Sequence, residues 1–171
     1  IINGIFEDKY YMYSYTCNAN LADLNQPYHM DCSHFHSLNT IKKFGSPGPP
    51  VQLIVNIYLQ DTDETNGTFE IVPKSHLSTD FKIDEDGIID PKYVHNTVKC
   101  NLPKGSVIIR DKRTWHCGTK NESKKIRYMV GTSYSLNWYK LNELYFDQKC
   151  SESLYFAPFS TWNIKYNLEN Y

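Results

Sequence analysis

Runs of β-branched and aromatic residues, cut at short intervals by turn formers, dominate the chain. Val51 to Leu59 reads Val-Gln-Leu-Ile-Val-Asn-Ile-Tyr-Leu, a continuous β-rich run. Tyr10 to Cys17, Thr68 to Val72, Ser106 to Arg110 and Ile126 to Tyr134 are further strand candidates. Between them lie Gly45-Ser46-Pro47-Gly48-Pro49-Pro50, Asn66-Gly67, Asp86-Gly87 and Pro103-Lys104-Gly105, all sequences that favour turns. Many short strands punctuated this way predict a mainly β fold, a sandwich or barrel of jelly-roll type. Trp138, Leu141, Leu144 and Tyr145 fall at helical spacing and predict a short amphipathic helix over 137–147. The segment 78–97 is long, polar and rich in turn formers, and reads equally as a lid or as a surface excursion. No internal repeat or low-complexity tract interrupts the chain, and the Pro-rich run at 46–50 reads as a surface loop. The expectation is a single domain over 1–171.

Bulk composition narrows the function classes. A length of 171 residues with 40% hydrophobic and 22% charged residues suits one globular domain with its own core. The formal net charge of −1 gives no electrostatic reason to expect nucleic acid as a partner. Lys120, Lys124 and Lys125 read as a solvated turn leading into a strand. The five cysteines are odd in number and lack Cys-x-x-Cys spacing, which argues against a disulfide framework and against a thiolate zinc site. Free thiols in a reducing, cytoplasmic setting are expected. No apolar stretch is long enough to span a bilayer, so no membrane partner is expected either.

The sharpest local feature is Gln26-Pro27-Tyr28-His29-Met30-Asp31. On a strand, residues i and i+2 share a face about 6.5–7 Å apart. His29 and Asp31 can therefore converge on one ion while Met30 points away. The best third ligand is His116, in Arg113-Thr114-Trp115-His116-Cys117-Gly118. Two imidazoles and one carboxylate on one face of an ion leave the opposite positions open, the arrangement of non-haem iron(II) oxygenases. His34 and His36 lie close by; if the strand continues past Asp31, both face the other way. His95 reads as a loop residue, and His76 as a local hydrogen-bonding group. Arg127 lies 11 residues beyond His116, across a polar turn containing Gly118, Asn121 and Ser123. A hairpin there would bring its planar fork of donors into the same cavity, ready for a carboxylate. Alternatively, Arg127 is a surface residue that pairs with an acid such as Glu122.

Together these segments resemble the phytanoyl-CoA hydroxylase-like (PhyH) family of iron(II) and 2-oxoglutarate dioxygenases. Gln26 to Asp31 is similar to the family's Gln-Pro-x-His-x-Asp entry. Asp61 to Gly67, running on to Ile71-Val72-Pro73-Lys74-Ser75-His76, is similar to its Asp…Asn-Gly…Val-Pro-Gly-Ser-His block, with Lys74 in place of the usual Gly. Trp115 to Ser123, followed by Arg127, is similar to its His-x-Gly-x-x-Asn-x-Ser-x-x-x-Arg ending. The resemblance covers roughly residues 26 to 134. It implies a double-stranded β-helix, cupin-like, with a few short helices, and with the metal at one open end. It implies His29, Asp31 and His116 as iron(II) ligands and Arg127 as the anchor of the distal 2-oxoglutarate carboxylate. Dioxygen is the other co-substrate. Thr16 or Asn18 would supply a further polar contact to the oxoacid. Relatives carry a longer N-terminal portion, so the domain is expected to lack part of that region. Asp31 favours hydroxylation over halogenation, and a small molecule is the expected substrate. Tyr28, Tyr58 and Trp115 are candidates for an apolar wall near the metal, Tyr58 more readily for the core. Two other readings stay open: a cupin-type zinc hydrolase using the same three ligands, and a barrel that binds without turnover.

Overall fold

The computed structural model describes residues 1–7, 9–34, 38–139, 144–146 and 164–166. The expected strands form, most of them within a residue or two of the expected ends. Strand β1 spans Tyr10–Asn20, β2 Gln52–Tyr58, β3 Phe69–Ile71, β5 Val107–Asp111 and β7 Arg127–Leu136. Two three-residue strands join them, β4 (Val98–Cys100) and β6 (His116–Gly118). Helices are few and short, α1 over Ile2–Phe6 and α2 over Leu38–Phe44.

An antiparallel sheet of order β1-β7-β2-β5 faces a smaller one of order β4-β3-β6. His29 extends the smaller sheet through bridges to His116 on one side and Ile88 on the other. This is the mainly β, cupin-like double-stranded β-helix that the turn spacing and motifs imply. Strict alternation on β7 turns Arg127, Met129, Gly131, Ser133 and Ser135 inward. Tyr58, Phe69, Cys100 and Met129 pack together between the sheets. A second cluster, Val72, Phe81, Ile89 and Trp115, covers the outer face of the smaller sheet. No described helix is long and apolar enough to cross a membrane.

Two expectations change. The helix over 137–147 is absent at its described positions: 137–139 form a turn, and Leu144–Phe146 (β8) pairs in parallel with Ile164–Tyr166 (β9). Pairing with a distant segment overrides the local periodicity there; the rest of that stretch lies outside the described residues. The segment 78–97 is neither a lid nor a simple excursion. It buries Phe81 and Ile89, and the Ile89 amide donates to the Tyr28 carbonyl at 2.8 Å. The Gly-to-Lys change at 74 leaves the turn conformation in place, because Lys74 itself adopts the left-handed φ of 65° that glycine would supply.

Candidate metal centre

Backbone pairing brings the two histidines together. The His29 amide donates to the His116 carbonyl at 3.0 Å, and the His116 amide returns the bond at 3.1 Å. Asp31 is set by its amide, which donates to the Lys112 carbonyl at 3.0 Å. Both imidazoles are oriented in the same way: His29 Nδ1 lies 2.9 Å from the Pro27 carbonyl oxygen and His116 Nδ1 lies 2.8 Å from that of Thr114. Each Nδ1–H is thereby committed to the backbone, which turns each Nε2 toward the site, and Arg110 Nη2 lies 3.2 Å from that of His116. Asp31 Oδ1 lies 3.4 Å from His116 Nε2 and 4.0 Å from His29 Nε2. One ligand atom from each of the three residues falls within 4.8 Å of the others. Two neutral nitrogens and one anionic oxygen converging on one point fit a divalent transition metal.

Arg110, which the sequence did not single out, completes this centre. Its Nη2 donates to Asp31 Oδ2 at 2.5 Å, leaving Oδ1 to face the imidazoles. The guanidinium carbon lies 5.3 Å from the centre of the Phe69 ring. Burial by itself would raise the Asp31 pKa. The His116 hydrogen bond and Arg110 outweigh it and hold the carboxyl well below its usual range. Burial lowers the His116 pKa and keeps the imidazole neutral. The only sequence signal for Arg110 was its place, the inward-facing residue six before His116.

The triad opens into a cavity of about 580 Å³ between the two sheets. Thr16, Asn18 and Arg127 line it too. The Thr16 hydroxyl donates to the Gly131 carbonyl at 3.3 Å, and a Cβ at Gly131 would sit 2.9 Å from that hydroxyl oxygen. Arg127 is buried, and its Nε donates to the Gly67 carbonyl at 3.0 Å. Its Nη1 is buried with no acceptor, a costly state that an incoming carboxylate would relieve. Glu122 is not its partner, because Glu122 pairs with Lys120.

The motif residues around these groups are scaffolding. Gly118 donates its amide to Gln26 Oε1 at 2.8 Å, and a Cβ there would lie 2.9 Å from the same oxygen. Asn121 Nδ2 donates to the Asn20 and Lys125 carbonyls, pinning the turn between His116 and Arg127 onto β1. Asp63 and Asn66 close the turn that presents Gly67 to Arg127. The Ser75 hydroxyl oxygen accepts the Trp115 amide at 2.8 Å and braces the strand carrying His116.

Of the neighbouring residues, Tyr28, Trp115 and His76 depart from expectation, while Tyr58 and His34 lie where expected. Tyr28 and Trp115 belong to the outer cluster, because strand alternation turns the neighbours of His29 and His116 away from the metal side. Tyr58 lies in the inner core below the cavity. The apolar lining includes instead Ile54, Phe69 and Met129, with Leu21 and Leu24. His34 packs beside Phe81, away from the triad, and His36 lies outside the described residues. His76 Nδ1 is buried without a hydrogen-bond partner rather than bonded locally.

The fold and site define a double-stranded β-helix with a centre suited to a non-haem metal. The phytanoyl-CoA dioxygenase (PhyH) family profile matches residues 6–129. The chain belongs to the phytanoyl-CoA dioxygenase family. Its fold is similar to that of the non-haem monooxygenase ThoJ in a nickel complex, with 18% identity and a TM-score of 0.54 over 79% of this chain and 48% of that one. It is similar as well to the epimerase SnoN in complex with Fe3+, alpha ketoglutarate and nogalamycin RO: 17% identity and a TM-score of 0.58 over 78% of this chain and 52% of that one. AviO1 from Streptomyces viridochromogenes gives 19% identity and a TM-score of 0.55 over 78% of this chain and 54% of that one. The chain thus spans about half the length of these structures.

Proposed function

We propose that this chain is an iron(II) and 2-oxoglutarate-dependent oxygenase that hydroxylates a small molecule. The observation that carries this reading is one cavity holding both the triad, with one ligand atom from each of its residues within 4.8 Å of the others, and a buried Arg127 with a donor still unspent. The iron-bound and alpha ketoglutarate-bound state of SnoN supports the cofactor assignment.

His29, Asp31 and His116 hold the metal, and Arg127 grips the distal carboxylate of the oxoacid. Arg110 fixes the Asp31 carboxylate so that one oxygen is offered to the metal. The Thr16 hydroxyl stands on the cavity wall as a polar contact for the oxoacid, while Ile54, Phe69 and Met129 shed water around the reacting carbon. Iron(II) with 2-oxoglutarate and dioxygen supplies oxidative decarboxylation to succinate and CO2, coupled to insertion of one oxygen atom into a C–H bond. A zinc hydrolase would use the same three ligands but gives no role to an unspent guanidinium in the cavity. The four described cysteines are unpaired, which supports a reducing, cytoplasmic location as part of the same proposal.

The test is succinate formation from 2-oxoglutarate with added iron(II), in the wild type and in His116→Ala. The substitution should abolish turnover. Equal rates in the two proteins would remove His116 from the centre and the reading with it.

A further inference from the structure

The cavity's charge balance points to the chemistry of its substrate, given the oxygenase reading above. Iron(II) and the 2-oxoglutarate dianion cancel in charge, so the lining side chains decide what field a substrate meets. They carry three cations, Arg110, Lys112 and Arg127, against one anion, Asp31. With the imidazoles neutral as ligands, the balance is 3 − 1 = +2. The whole chain is −1, so this surplus is local to the cavity.

The cations are also spread along the sheet in a way that separates their roles. Arg127 begins β7. Six residues along that strand, Ser133 is in register with Ile54, and Ile54 with Arg110. Six strand residues cover roughly 20 Å between backbones. Arg110 touches the triad itself, and Lys112 lies one step further, its amide donating to the Gln52 carbonyl at 3.3 Å. Along the sheet the metal centre therefore falls between Arg127, which faces the oxoacid, and Lys112.

Lys112 has no ion-pair partner among the described residues. Its ammonium donates to the Tyr13 hydroxyl at 3.0 Å and lies 5.3 Å from the centre of that ring. Gln52 Nε2 donates to the same oxygen at 3.0 Å. Tyr13 is the extra residue of a bulge in β1, where the register steps from Met12–Tyr134 to Ser14–Ser133. A bulge re-aims a side chain, and this one sets the phenol against Lys112. Arg110 adds two buried donors, Nε and Nη1, that have no acceptor. A guanidinium already paired with Asp31 still has two donors to give, and neither is needed for the distal carboxylate of the oxoacid.

We propose that the substrate is an anionic small molecule, a carboxylate or a phosphate ester, held by Lys112 and Arg110 on the side of the metal away from Arg127.

Calorimetry on the full chain loaded with nickel(II) and saturating 2-oxoglutarate tests this without turnover. The probes are octanoate, octyl phosphate, octanamide and octylamine. At least one anion should bind about 10-fold more tightly than octanamide, with Lys112→Met erasing that margin and Lys112→Arg restoring most of it. The stronger of the two anions identifies the headgroup. Binding of octanamide or octylamine as tight as that of the anions, no binding of either anion at millimolar concentration, or an unchanged margin in Lys112→Met would each overturn the proposal. The wild-type probe series does not depend on how the variants fold. Failure of nickel or 2-oxoglutarate to bind the wild type in the loading step would count against the oxygenase reading itself.

Discussion

Two arginines are buried almost completely at opposite ends of this fold, and their surroundings differ. Arg113 is 1% exposed. Its Nε and Nη2 donate to the Asp111 carboxylate at 2.9 and 2.6 Å, and its Nη1 donates to the Pro47 carbonyl at 2.8 Å. It ties the Pro-rich loop to the turn beneath His116. Arg127 is 4% exposed, makes one bond to the Gly67 carbonyl, and keeps Nη1 unpaired. A guanidinium with its charge and donors matched belongs to the fold. One with a spare donor in a cavity is suited to receive an anion, and burial alone does not tell the two apart.

Substitution of both arginines sharpens this contrast. Arg113→Met should cost about 3–5 kcal/mol in urea unfolding, since it leaves Asp111 buried without its partner. Arg127→Met should change stability by no more than about 1 kcal/mol, because it removes a single hydrogen bond together with an unsatisfied donor. It should instead weaken 2-oxoglutarate binding by about 100-fold, the loss of a charged, bidentate-capable contact. Similar stability losses in the two variants would erase the distinction.

A smaller effect is expected at Asp31 in the metal-free protein. Its carboxyl is held below the ordinary value despite the opposing effect of burial. A depressed folded pKa gives a contribution that is complete above the unfolded value of about 3.9 and is lost as pH falls from there toward the folded value. Between about pH 5 and pH 3 the urea midpoint of the wild type should therefore drop more than that of Asp31→Asn. Parallel curves would show that the His116 and Arg110 contacts to this carboxylate contribute nothing.

The smallest expected effect lies at Lys74, whose φ of 65° is strained for any residue with a Cβ. Lys74→Gly should gain up to about 1 kcal/mol in thermal or urea unfolding. A loss would mean that the lysine side chain makes a contact worth more than the strain.

Strand positions and the converging triad were legible in the sequence because period-two patterning and the His-x-Asp spacing are local signals. The order of the motifs placed Arg127 as well. Arg110, Lys112 and Tyr13 were not legible. Their roles depend on register between β2, β5 and β7 and on a bulge in β1, none of which leaves a mark in a single stretch of residues. The aromatic wall was misplaced for a related reason. Tyr28 and Trp115 are adjacent to ligands in sequence, and on a strand adjacency puts a side chain on the opposite face.

Anaerobic titration of the iron(II)-loaded protein with 2-oxoglutarate, followed by visible absorption, is the most direct probe of the paired metal and oxoacid sites. A charge-transfer band that saturates with one equivalent bound, vanishes in His116→Ala and needs far more oxoacid in Arg127→Met is expected. Absence of the band in the wild type, or the same titration curve in Arg127→Met, would contradict a shared site built from the triad and that guanidinium.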